Sequence, residues 1–187
     1  GMMKINKSII NLFVVSLSFG LFACTNPSEH KEHDPIEPKE PTPIAIDITD
    51  QEVYEFGQRL LARIQADEQM LVDAFSIKDV KRIENYNLYE WQDYINKPYG
   101  PEEEKMGFGH RYFPSSAKAS IYTVCDTAFG DLNLLAGAMV HVLEDPANGS
   151  FQKIYKQEFE DYSKSKVECQ ERVNLSFDDA VKAYENE

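Results

Sequence analysis

PSSAKASIYTVCDTAFGDLNLLAGAMVHVLEDPANGSFQKIYKQEFEDYSKSKVECQERV, residues 114–173, decides the fold of this 187-residue chain. Behind Pro114, with Ser115 or Ser116 as cap, apolar residues recur three and four apart. They are Ile121, Cys125, Ala128, Phe129, Leu132, Leu135, Ala136, Met139, Val140 and Leu143, which predicts a long helix with one broad buried face. Asp145, Pro146, Asn148 and Gly149 end it by turn chemistry. Ser150 opens a second helix whose face is Phe151, Ile154, Tyr155, Phe159, Tyr162 and, further on, Cys169 and Val173. Cys125 stands 22 residues before Ala147 in the turn, and Cys169 stands 22 residues after it. At about 1.5 Å of rise per residue, each lies roughly 33 Å from the turn, so two continuous antiparallel helices bring the cysteines level.

Upstream, Thr49 with Glu52 reads as a capping box. Val53, Phe56, Leu60, Leu61, Ile64, Leu71, Val72 and Phe75 then keep helical spacing through a long first helix. A second cap between Ser76 and Asp79 precedes Val80, Ile83, Tyr86, Tyr89, Trp91, Tyr94 and Ile95, a helical segment that is less regular and rich in aromatics. Pro98, Gly100, Pro101, Gly107, Gly109 and Pro114 predict a long irregular connection between Lys97 and Ser115. Downstream, a short last helix starts at Ser176, with Asp178 and Asp179 at its positive end. Residues 47–187 thus predict one all-α domain, a small bundle of about four to five helices, long enough to bury a single core. Gly130 and Gly137, seven apart on one helix, are expected to admit close helix packing.

The N-terminus is organised differently. Met2 to Lys7 is short and basic, and Ile9 to Ala23 is apolar apart from Asn11, Ser16, Ser18 and Gly20. The run is shorter than the roughly 20 residues of a bilayer span and ends in small residues and a cysteine, a signal-peptide layout. Leu21-Phe22-Ala23-Cys24 resembles the lipobox of bacterial lipoproteins. The resemblance covers residues 1–24 and implies a leader over 1–23, with Gly1 a remnant of expression. It also implies acylation of Cys24, a mature chain beginning there and, since Thr25 and not Asp follows, an outer-membrane address. Residues 24–46 alternate prolines with charges and predict a solvated tether. His30 and His33 lie within it, where no geometry for a metal is preformed.

Such an address is oxidising, so Cys125 and Cys169, which lack metal-ligand or CxxC spacing, are expected to pair as an interhelical disulfide. The net charge is −13 for the whole chain, and about −15 once the leader is removed. That balance argues against nucleic acid and suits solubility or a cationic protein partner.

The polar residues form no recognised catalytic, metal or cofactor motif. Trp91, Tyr94, Tyr99, His110, Arg111 and Tyr112 are binding candidates, because aromatics and arginine are enriched where proteins recognise one another. Glu102, Glu103 and Glu104 read as a solvated run, and His141 falls near an apolar face as a core histidine. The expected function is a membrane-tethered envelope protein that binds a protein partner, using residues 98–113 and the aromatics before them. An inhibitor or immunity protein against a cationic periplasmic toxin is one alternative. The other is an envelope glycan or peptide hydrolase, which needs two or more of His110, Arg111, the three glutamates and His141 in one cleft.

Overall fold

Thr49 opens the first helix as its sequence predicts: its Oγ1 accepts from Glu52 N at 3.2 Å and its own N–H donates to Glu52 Oε2 at 2.8 Å. The computed structural model describes residues 46–105 and 112–187. The leader, Cys24, the tether up to residue 45 with His30 and His33, and His110 with Arg111 lie outside the described residues.

Helix α1 spans Asp50–Ser76. It ends in a Schellman turn, with Lys78 N–H donating to Phe75 O at 3.1 Å and Asp79 N–H to Ala74 O at 2.8 Å. Lys78 takes φ 59°, a conformation usually left to glycine. Asp79 then caps α2, Val80–Asn85, by accepting from Arg82 N at 3.0 Å. A π-helical turn, Tyr86–Glu90, joins α2 to α3, Trp91–Ile95. The Arg82 fork on Glu90, at 2.9 and 3.1 Å, spans that turn.

The connection after Lys97 is more regular than its composition suggests, because it contains a short helix α4, Pro101–Lys105. Pro101 sits at the first helical position, where a missing N–H costs nothing, and the following glutamates suit a helix N-terminus. Ser116 caps a tight 3-10 segment, Ala117–Tyr122, and only from Thr123 does the chain widen into α5, Thr123–Glu144. Asn148 caps α6, Gly149–Asn174, and Ser176 caps α7, Phe177–Glu185.

The described residues are helices and connecting turns without strands, an all-α bundle. Its spine is the antiparallel α5–α6 pair, joined by the predicted Cys125–Cys169 disulfide with a Cα–Cα distance of 4.7 Å. Glu68 pairs with Lys166 and Phe75 with Tyr155, so residue numbers rise on α1 as they fall on α6. Helix α1 is therefore antiparallel to α6 and parallel to α5. Buried residues from all three pack around Phe129, Leu60, Ile64, Leu71 and Leu132, each fully enclosed.

Close approach happens at a glycine other than the two on α5. A Cβ built on Gly57 of α1 would stand 2.8 Å from the ring of Tyr122, itself fully buried. Gly130 faces open space, while a Cβ on Gly137 would stand 3.6 Å from the Asn87 side chain, an ordinary contact. The π turn aims Asn87 there, where its Nδ2 also donates to Asn133 O at 2.8 Å. Gly57→Ala is expected to destabilise the fold by about 1–3 kcal/mol, because an enclosed ring must shift to admit one methyl. Urea unfolding measures this, and a change within a few tenths of a kcal/mol would show that Tyr122 yields easily.

Candidate functional site

The predicted aromatics are brought together, but mainly to pack on one another. Tyr112 is buried, while Trp91, Tyr94 and Tyr99 are half-buried. Phe129 meets the rings of Trp91, Tyr94 and Tyr112 at centroid distances of 5.8, 5.4 and 5.9 Å. Trp91 Nε1 donates to Phe129 O at 3.1 Å, and the Tyr112 hydroxyl donates to Asp126. Burial first, then the Asp126 charge, holds the Tyr112 phenol far above its ordinary range. Tyr99 packs edge-on against Phe56 at 5.8 Å. The Arg63 guanidinium lies 4.7 Å over the Tyr94 ring. Burial disfavours its charge, but the hydrogen bond and attraction of Asp67, 2.7 Å away, more than offset this and raise its pKa. Beside these rings, Arg59, Lys97 and Pro98 help to line a shallow groove of about 270 Å³.

His141 corrects the sequence reading. It is exposed at the last turn of α5 and stacks on Phe151 at 4.9 Å, so α6, not the core, covers its apolar surface. It lies 12 to 15 residues along α5 from Asp126 and Phe129, the partners of Tyr112. That is about 20 Å of helix. Glu104 is exposed on α4. Among the described residues no group of three or more His, Cys, Asp or Glu is arranged to hold a metal, and no helix is long and apolar enough to cross a membrane.

An apolar concavity lies elsewhere, where α1 and α6 part over α5. Leu71, Leu132, Leu135 and Met139 floor it, and Val72, Phe75, Tyr155 and Phe159 wall it, enclosing about 300 Å³. Val72 and Phe159 remain 49% and 51% exposed, although both occupy the core-facing spacing of their helices. Two bridges between α1 and α6 bound the slot. At one end Lys166 Nζ donates to both oxygens of Glu68 at 2.8 Å, and at the other Phe75 stacks on Tyr155 at 5.4 Å. Seven residues of α1 separate the bridges, about 10 Å.

Tyr162 lines the Glu68 end. It is 2% exposed, its hydroxyl closed off from solvent beside the Glu68 carboxylate. Burial, then the charge and hydrogen bond of Glu68, pushes its phenol well above the usual range. Sequence reading missed this slot, because its wall residues read as ordinary core positions.

A separate trough between α5 and α6, about 350 Å³, carries Asp131, Glu158, Asp161 and Glu168. Burial and then Asp161 and Asp131 raise the Glu158 carboxyl pKa.

The fold and these surfaces define a disulfide-pinned, all-α bundle with an apolar interhelical slot. Comparison with protein-family models, curated proteins and solved structures found no match.

Proposed function

We propose that this chain is a cell-envelope lipoprotein, anchored through acylated Cys24 in the outer membrane facing the periplasm, and that it acts by binding and not by catalysis. The observation that carries the binding half is the α1–α6 slot: of the large apolar side chains left half in water among the described residues, Val72 and Phe159 are two that line one apolar concavity. The anchoring half stands on the lipobox resemblance of residues 21–24 and the proline- and charge-rich stretch that follows. Two or more acyl chains are needed for stable anchoring, since one alone binds a membrane only marginally.

Two labels test the two halves separately. Growth with a palmitate analogue should tag the protein and hold it in the membrane fraction, and Cys24→Ser should remove the tag and release the protein. An untagged, soluble wild type would end the anchoring reading. A photo-crosslinking residue placed at Val72 or Phe159 should trap an adduct in cells that the same residue at exposed Lys182 does not. No adduct at either slot position would end the binding reading. The acidic trough at Asp131, Glu158 and Asp161 favours a second reading, the inhibitor or immunity protein with a cationic partner, which crosslinks at Leu134 would report.

A further inference from the structure

We propose that the groove beside Tyr94 and Tyr99 docks an extended, acidic, proline-rich segment of a partner protein, in polyproline II form, with its carboxylates on Arg59 and Lys97. Phe56 of this groove and Val72 of the slot stand sixteen residues apart on α1, about 24 Å, so the two surfaces are separate and this site does not depend on the slot.

Charge selects the sign of the ligand. In a chain of net charge −13, the lining of this groove carries two cations and no acid among the described residues. Lys97 is exposed and makes no ion pair among the described residues. Arg59 reaches Glu55 only at 3.8 Å, with the two side chains 59% and 50% exposed. An exposed pair of that kind contributes little, and it yields to a carboxylate that engages the guanidinium fork directly. Arg63 is already committed, since Asp67 holds it over the Tyr94 ring.

The walls select the form of the ligand. Tyr99 stands at 87° to Phe56, and Tyr94 and Pro98 extend the apolar surface around that corner. The described residues contain no strand, so there is no sheet edge for an extended ligand to join. A helical ligand with its side chains is about 10–12 Å across, too broad for a groove of about 270 Å³. A polyproline II segment is narrow and already ordered, and it docks on aromatic rings through its prolines. Its three-residue turn sets prolines along one face and acids along another, which matches a wall of rings that also carries two exposed cations.

The test titrates the full chain with a repeating Pro-Pro-Glu peptide by calorimetry. Saturable binding is expected, and Arg59→Glu with Lys97→Glu should weaken it by at least about tenfold, because two charge-assisted contacts become repulsive. Lys153→Glu with Lys156→Glu changes the net charge equally at exposed positions of α6 beside the Phe75–Tyr155 stack, far along α1 from Arg59. Screening should keep that second variant within about twofold of the unaltered chain. A repeating Pro-Pro-Lys peptide should not bind, and a Gly-Gly-Glu peptide, which must be ordered on binding, should bind at least about tenfold more weakly than the proline one. No binding at about 1 mM peptide, an equal loss in the α6 variant, or equal binding of the glycine or lysine peptide would each overturn the proposal. Crosslinking at Val72 and Phe159 reads the slot alone, so the failure of one site is told apart from the failure of the other.

Discussion

Phe129→Ala is expected to lower the unfolding free energy by about 3–5 kcal/mol, the range for deleting a large aromatic from a core. The side chain is fully buried and touches three other rings, so its removal takes away area and edge-on ring contacts at once. Collapse around the void is hindered because its walls are fixed. Trp91 is tied to the Phe129 carbonyl, Tyr112 to Asp126, and Tyr94 lies beneath Arg63. The cost should therefore fall in the upper part of the range. Urea unfolding followed by the single tryptophan reads both the midpoint and the environment of Trp91. A loss under about 1 kcal/mol would mean that the aromatic cluster repacks and is not the rigid hub described above.

Replacing both Cys125 and Cys169 by alanine should cost about 4 kcal/mol, the loop-closure entropy of a crosslink spanning some 45 residues. The sequence separation is 44, and both cysteines are wholly enclosed. Enclosure adds a kinetic expectation. A reductant should leave the folded protein oxidised for as long as α5 and α6 stay together, and should act quickly once denaturant parts them. Thermal unfolding of the double variant measures the first effect, and thiol release with time, with and without denaturant, measures the second. A variant within 1 kcal/mol of wild type would show that the helix pair is already restrained in the unfolded chain. Rapid reduction under native conditions would show that the hairpin opens readily at this level.

The α5–α6 hairpin was legible in the sequence because three independent signals agree there: the helical period of the apolar residues, the Asp-Pro-Ala-Asn-Gly turn, and two cysteines equidistant from that turn. The caps at Thr49, Asp79, Ser116 and Ser176 were legible for a similar reason, since each is a local contact between a side chain and a backbone N–H two or three residues on. The π turn at Tyr86–Glu90 was not, because what it accommodates is the seat of Asn87 on α5, a contact across 46 residues. Gly57 gave no sign either: its partner Tyr122 lies on a different element, and a helical glycine reads alone as a weak position. The slot was hidden in the same way. Val72 and Phe159 carry the pattern of core residues, and their exposure follows from bridges that join α1 to α6 across some 80 to 98 residues. His141 was misplaced because periodicity assigns a face but not how far the neighbouring helix extends past it.

Ile46 joins the bundle beside Ser115, its N–H donating to that carbonyl at 3.0 Å, at the pole where Lys118 meets Asp50 and the disulfide lies nearby. The slot opens toward the opposite pole, around Val72. A pull between Ile46 and a load held on the α6 wall of the slot therefore runs lengthwise along α1 and shears it against α6, so that its contacts must slide together instead of opening one by one. Shear of that kind is the mechanically resistant direction for parallel rods, and the bridge of Lys166 to Glu68 lies across it. The bundle should hold its distal face in shape under tension delivered at its near end, a property that a hairpin gripped at its open end would lack.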